Sequence, residues 1–158
     1  EAIGRGVGIA AIKYADLSGD PGRDYVFDLD RMIAFEGDTG PYLQYAHARI
    51  CSILSKAGDR LDPEATIVTE HPGERSLALM LLRYGDTVAE AARHLEPSRL
   101  CRYLYALATE FNSFYAACPV LKADTEELRS SRLRLASLTR RVIADGLGCL
   151  GIESPNRM

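Results

Sequence analysis

The sequence predicts an all-α fold, a helical bundle of five or six helices, and three observations predict it. Apolar residues recur at helical spacing, most clearly Leu100, Tyr103, Leu104, Leu107, Phe111 and Phe114 at offsets 0, 3, 4, 7, 11 and 14. Capping residues, prolines and glycine stops punctuate the chain at short intervals. Only Asp24 to Arg31 alternates as a strand does, and one isolated strand makes no sheet. The 158 residues, 47% hydrophobic and 26% charged, suit one domain with a sizeable core and are too apolar for disorder. The longest apolar run, Leu77 to Leu82, is far short of the roughly 20 residues a membrane span needs.

The elements follow in order. Gly4, Gly6 and Gly8 do not complete a G-x-G-x-x-G dinucleotide fingerprint, because Ile9 stands where the last glycine belongs. They read as the approach to a helix from Gly8 to Leu17, with apolar Ile9, Ile12 and Leu17, ended by the turn Ser18-Gly19-Asp20-Pro21-Gly22. In Asp24 to Arg31, Tyr25, Phe27 and Leu29 share one side, which predicts an extended edge piece. Thr39 as cap, Pro41 in the first turn and Gly58 as stop define the next helix. A loop with Pro63 and Pro72 spans Asp59 to Pro72. Glu74 to Tyr84 forms a helix broken at Gly85, and Asp86 or Thr87 opens another through a Thr87-x-x-Glu90 capping box. The stripe from Leu100 belongs to a helix that follows Pro97 and ends at Cys118-Pro119. The last helix runs from about Thr125 to Asp145, with Leu128, Leu135, Leu138 and Val142 inward and Gly146 as its stop.

Cys51, Cys101, Cys118 and Cys149 form no C-x-x-C pair, and they read as reduced thiols of a cytosolic protein. His47, His71 and His94 share no ligand spacing, and Asp28, Asp30, Glu36 and Asp38 match neither an EF-hand nor a magnesium site, so no metal is expected. The net charge of −3 gives no global argument for nucleic acid. Its distribution is uneven: residues 1–79 hold 8 basic and 13 acidic side chains, residues 80–158 hold 11 and 9. Arginine outnumbers lysine 16 to 3, and Arg129, Arg132, Arg134, Arg140 and Arg141 follow one another with no acid between them. Such a run either faces phosphate, which the planar guanidinium suits, or is a solvated helix face. The chain opens on Glu1 rather than Met, which suggests a piece of something longer.

The informative stretch is Glu36-Gly37-Asp38-Thr39-Gly40-Pro41-Tyr42-Leu43-Gln44-Tyr45-Ala46-His47-Ala48-Arg49. On a helix starting near Pro41, Tyr42, Tyr45 and Arg49 stand at i, i+3 and i+7 on one face. Two rings beside a guanidinium make a platform on which unpaired bases stack while the cation holds the backbone. The alternative is a pair of core tyrosines with polar tips.

The segment E-G-D-T-G-P-Y-L-Q-Y-A-H-A-R resembles the hallmark with which arginyl-tRNA synthetases enter their helical anticodon-binding domain. The resemblance extends upstream through G-V-G-I-A-A-I-K-Y-A-D-L-S (Gly6 to Ser18) and Y-V-F-D-L-D-R-M (Tyr25 to Met32), and onward to the tail G-I-E-S-P-N-R-M (Gly151 to Met158). It implies that residues 1–37 are the end of a catalytic domain with its connecting segment, and that 38–158 are the anticodon-binding bundle. It further implies anticodon contacts by Tyr42, Tyr45, Arg49, Tyr115 and Met158, with Tyr115 open to a core role instead, and possible phosphate contacts by Arg132, Arg140 and Arg141. The partners implied are tRNA(Arg) and the chain's own catalytic domain, in a cytoplasmic monomer without a membrane association. The family joins arginine to its tRNA with ATP and magnesium through a His-x-Gly-His type motif and a Lys-Met-Ser-Lys-Ser type loop. Neither motif occurs here, so this chain is expected to hold no cofactor and no catalytic residue, and to recognise rather than react. Two other readings stay open, a helical module buttressing its catalytic domain or a partner, and part of a diverged synthetase paralogue.

Overall fold

Seven α-helices succeed one another in the computed structural model, which describes residues 2–20, 22 and 27–158. They are α1 (Ala2–Ser18), α2 (Leu29–Met32), α3 (Gly40–Ala57), α4 (Pro72–Leu82), α5 (Tyr84–His94), α6 (Pro97–Ala117) and α7 (Glu126–Cys149), with a 3₁₀ turn at Gly58–Arg60. No strand occurs among the described residues, as the helical periodicity predicts.

Helix α6 is the axis of the bundle. Its stripe residues Leu100, Leu104, Leu107, Phe111 and Phe114 are each at most 4% exposed, and Tyr103 donates its hydroxyl to the Met80 carbonyl of α4 at 2.9 Å. Helices α1, α3, α4, α5 and α7 all pack on it. Leu43 and Ile50 of α3, Leu77 of α4, and Leu133, Leu135, Ile143 and Leu147 of α7 complete the core. Each fully buried side chain of this size contributes roughly 1.5–3 kcal/mol.

Three polar or steric devices set how the helices sit. The Thr39 hydroxyl accepts the Tyr42 amide at 3.1 Å and donates to the Ala34 carbonyl at 2.6 Å, which fixes the entry of α3. One residue on, Gly40 lies so close to α1 that a Cβ there would stand 2.4 Å from the Ala10 carbonyl oxygen. Beside that contact the buried Tyr14 hydroxyl reaches Asp38 Oδ1 at 2.5 Å and the Cys101 carbonyl at 3.0 Å, tying α1 to the loop before α3 and to α6. On the opposite side, the fully buried Glu74 of α4 accepts Arg132 Nε of α7 at 2.6 Å, and a second nitrogen of Arg132 donates to the Pro119 carbonyl at 3.0 Å.

Several local expectations are corrected. Helix α1 starts well before Gly8, and it buries Ala10, Ala11 and Tyr14 while Ile9 and Ile12 stay exposed, because α3 meets the Ala10–Tyr14 face at Gly40. Asp24 and Tyr25 lie outside the described residues, and Leu29 to Arg31, expected as extended, form a helical turn. Asp28 caps that turn by accepting the Arg31 amide at 3.1 Å, a local bond that outcompetes an unpaired strand. The Thr87 capping box does not exist. Thr87 sits inside α5 and donates to the Arg83 carbonyl at 2.8 Å, while Glu90 pairs with Arg93 and His94. The capping box of this region is His71 with Glu74, ahead of Pro72. Gly85 is likewise inside α5, the break falling at Arg83. Gly146 does not stop α7, which runs on to Cys149; it is the point where Leu104 of α6 comes within 2.6 Å of an added Cβ. Leu138 and Val142 are half-buried rather than internal. The four cysteines are free thiols, Cys101 and Cys118 buried, Cys51 half-buried and Cys149 exposed.

Candidate nucleic-acid interface

Helix α3 divides its residues by face. Leu43, Ala46, His47, Ile50 and Ile53 are buried, so the opposite side carries Tyr45, Arg49, Ser52 and Lys56, one or two turns apart, toward solvent. Tyr45 is 46% exposed, and its ring meets that of Phe35 edge-on, 6.4 Å between centres. Tyr45, Arg49, Ser52 and Lys56 form one wall of a groove of about 870 Å³, and Asn156, Arg157 and Met158 of the tail form the other. Met158 and Tyr45 thus face the same groove, with Arg49, Lys56 and Arg157 beside them and no Asp or Glu side chain among the lining residues. A polarisable side chain, an exposed ring and three cations make a binding surface for a flat, anionic ligand.

A second cluster adjoins it. Tyr42 is half-buried, its ring 5.7 Å from that of Tyr105. Asn112 of α6 donates from Nδ2 to the Tyr42 hydroxyl at 3.0 Å and accepts a nitrogen of Arg49 at Oδ1, also at 3.0 Å. The guanidinium lies 5.4 Å from the ring centre of Tyr115, whose ring stacks on Phe111 at 6.1 Å. Tyr115 thus sets its ring against Phe111 of the core stripe and under the Arg49 cation. A cation–π contact at such an exposed site is worth about 0.5–1 kcal/mol. Sequence reasoning missed Asn112, Phe35, Lys56 and Arg157. Asn112 had one available signal, a polar residue one turn before Tyr115 at the edge of an apolar stripe.

The tail reaches the groove because it is fastened along its length. Lys13 donates to the Gly151 carbonyl at 2.6 Å, Gln44 to the Glu153 carbonyl at 2.8 Å and His47 Nδ1 to the Pro155 carbonyl at 3.0 Å. Ile152 is buried between them, and Cys51 Sγ reaches Asn156 Oδ1 at 3.5 Å. His47 is an anchor, not a ligand. Burial pushes its imidazole below the ordinary 6.5; the Pro155 carbonyl opposes this, and the charge of Arg140 adds to it. Burial likewise pushes the Cys51 thiol up. Because the folded state disfavours the imidazolium, the unfolded chain binds more protons just below pH 6.5. Stability contributed by the neutral ring is therefore present above that pH and lost as pH falls through it. Melting curves on either side of 6.5 are expected to show this slope, and His47→Gln is expected to remove it.

The arginines of α7 do not act together. Arg132 is not a phosphate contact: it is buried and committed to Glu74 and Pro119, because an internal carboxylate demands a cation. Arg129 pairs with Glu126, and Arg134 donates to the Ala65 carbonyl at 2.9 Å. Arg140 is half-buried beside His47 and Cys51, behind the groove wall, and Arg141 is exposed.

The sequence and the fold are shared with known proteins. The profile of the DALR anticodon binding domain matches residues 43–158. The chain is 54% identical to an arginine–tRNA ligase of Frankia casuarinae over 156 residues, 99% of this chain and 26% of that protein. It is 53% identical to that of Thermobifida fusca over 158 residues, 99% of this chain and 27% of the relative. The arginyl-tRNA synthetase of Thermus thermophilus superposes with a TM-score of 0.90 at 40% identity, over 98% of this chain and 27% of that structure. The chain thus spans about a quarter of the length of these relatives.

Proposed function

The chain belongs to the DALR anticodon binding domain family, and from that premise we propose that it is the tRNA-recognising end of an arginine–tRNA ligase. The whole protein attaches arginine to tRNA(Arg) with ATP and magnesium, as a monomer of the cytoplasm; this chain contributes recognition of the anticodon loop. The observation that carries the reading is the groove of Tyr45 and Met158, lined by Arg49, Lys56 and Arg157 and by no Asp or Glu side chain, in a chain whose net charge is −3. An unpaired base stacks on Tyr45 against the Met158 thioether, and the cations offset the phosphates on either side. Binding there holds the tRNA so that its acceptor end meets the catalytic domain, which is positioning rather than chemistry.

Residues 1–37 have a separate role in this reading, as the junction to that catalytic domain. Ile3, Ile9, Ile12, Phe27, Leu29 and Phe35 are all more than 40% exposed there, an apolar surface suited to packing against the preceding part of the protein.

Titration of the 158-residue chain with an arginine tRNA transcript, beside an unrelated tRNA and across a salt series, tests recognition. Tyr45→Ala is expected to weaken binding about tenfold, within the roughly 1–3 kcal/mol of one stacked base. Arg49→Ala is expected to lower the slope of log affinity against log salt by about 0.7–0.9. Equal affinity for the two tRNAs, or no effect of Tyr45→Ala, overturns the reading.

A further inference from the structure

Asn112 bridges two of the side chains that the anticodon surface depends on, and donor–acceptor logic fixes how. Arginine has hydrogen-bond donors and no acceptor. The atom of Asn112 that meets the Arg49 guanidinium must therefore be its carbonyl oxygen, and the other end of the amide, 3.0 Å from the Tyr42 hydroxyl, must be the NH₂ group. That group only donates, so the tyrosine oxygen accepts. The O–H proton of Tyr42 is left over, and no second acceptor meets it among the described residues.

We propose that Asn112 is a positioning residue that sets the polarity of this surface: by occupying the acceptor side of Tyr42 and one nitrogen of Arg49, it presents both residues to the RNA as hydrogen-bond donors. The ligand group this fits is an acceptor, a base carbonyl or ring nitrogen or a phosphate oxygen, and an exocyclic amino group is refused. Arg49 is held over Tyr115 in the same arrangement, so its cation is pre-oriented rather than free to swing. The inference rests on the anticodon-binding reading above.

The test uses Tyr42→Phe, Asn112→Asp and their combination, with Tyr45→Ala as a control, in the same tRNA titration after matching the variants by melting temperature. Tyr42→Phe removes the outward proton and is expected to weaken binding about 3- to 10-fold. In Asn112→Asp a carboxylate accepts from both neighbours, so the tyrosine proton turns inward and the charge of Arg49 is neutralised. Binding is expected to weaken at least as much, and the salt slope to fall by about 0.7–0.9, whereas Tyr42→Phe leaves that slope unchanged. Adding Tyr42→Phe to Asn112→Asp is expected to cost nothing further, because the proton is already withdrawn.

Wild-type affinity in Asn112→Asp, or a full additional loss in the double variant, overturns the proposal. Should Asn112→Asp fail to fold, Tyr42→Phe decides alone, and undiminished binding by it is the overturning result. If Tyr45→Ala weakens binding while the other variants do not, this inference fails and the anticodon reading stands. If Tyr45→Ala has no effect either, both fail.

Discussion

Arg132→Met is expected to lower the stability of the chain by about 3–5 kcal/mol, read as a shift in the urea midpoint, because it strands Glu74. That carboxylate is fully buried between α4 and α7, and Arg132 is its cation as well as the donor to the Pro119 carbonyl. The Glu70 and His71 amides continue to donate to it at 2.8 Å, but two neutral donors do not replace a guanidinium. Changing both partners to Glu74→Gln with Arg132→Met is expected to recover part of the loss, since a neutral pair leaves no unpaired charge inside. The pH profile carries the same information. Burial by itself raises the Glu74 pKa; the His71 amide, Arg132 and the Glu70 amide outweigh it and hold the carboxyl below its ordinary 4.5. Its contribution is complete above that value and lost as pH falls through the lower folded pKa. In Arg132→Met this acid limb is expected to flatten, and a limb of unchanged steepness would assign the tie to packing alone.

Gly40→Val is the second large effect, expected at or above the upper end of the roughly 1–3 kcal/mol typical of overpacking. An added Cβ meets the Ala10 carbonyl oxygen at 2.4 Å, its carbon at 2.8 Å and Tyr14 Cβ at 2.9 Å. Two of these are backbone atoms, which have no rotamer to move into. The helices must part, and the Tyr14 bonds to Asp38 and Cys101 go with them. Near-ultraviolet circular dichroism reports the tyrosine packing, and an unchanged spectrum with an unchanged melting temperature contradicts the expectation.

Legibility in the sequence followed the range of the interaction. The α6 stripe, the Thr39 cap and the Gly58 stop were readable because each is decided within a turn or two of chain. The shared outward face of Tyr45 and Arg49 was readable for the same reason, by helical spacing alone, whereas Tyr42 is half-buried against α6. Failures began where a distant partner decides the matter. Arg132 and Arg140 look alike in the sequence, and only the fold puts a buried carboxylate beside one of them. Gly146 reads as a terminator until Leu104 arrives from another helix. Asn112 is 63 residues from Arg49 and 70 from Tyr42, beyond any local pattern. Lys56 and Arg157 become groove residues only when the tail folds back over α3.

The bond from Lys13 to Gly151 joins positions 138 residues apart, and it makes the opening helix and the closing strap a single mechanical piece. Gln44 and His47 fasten the same strap to α3 farther along, so loss of the Lys13 bond frees its first residues and leaves the Pro155 end seated.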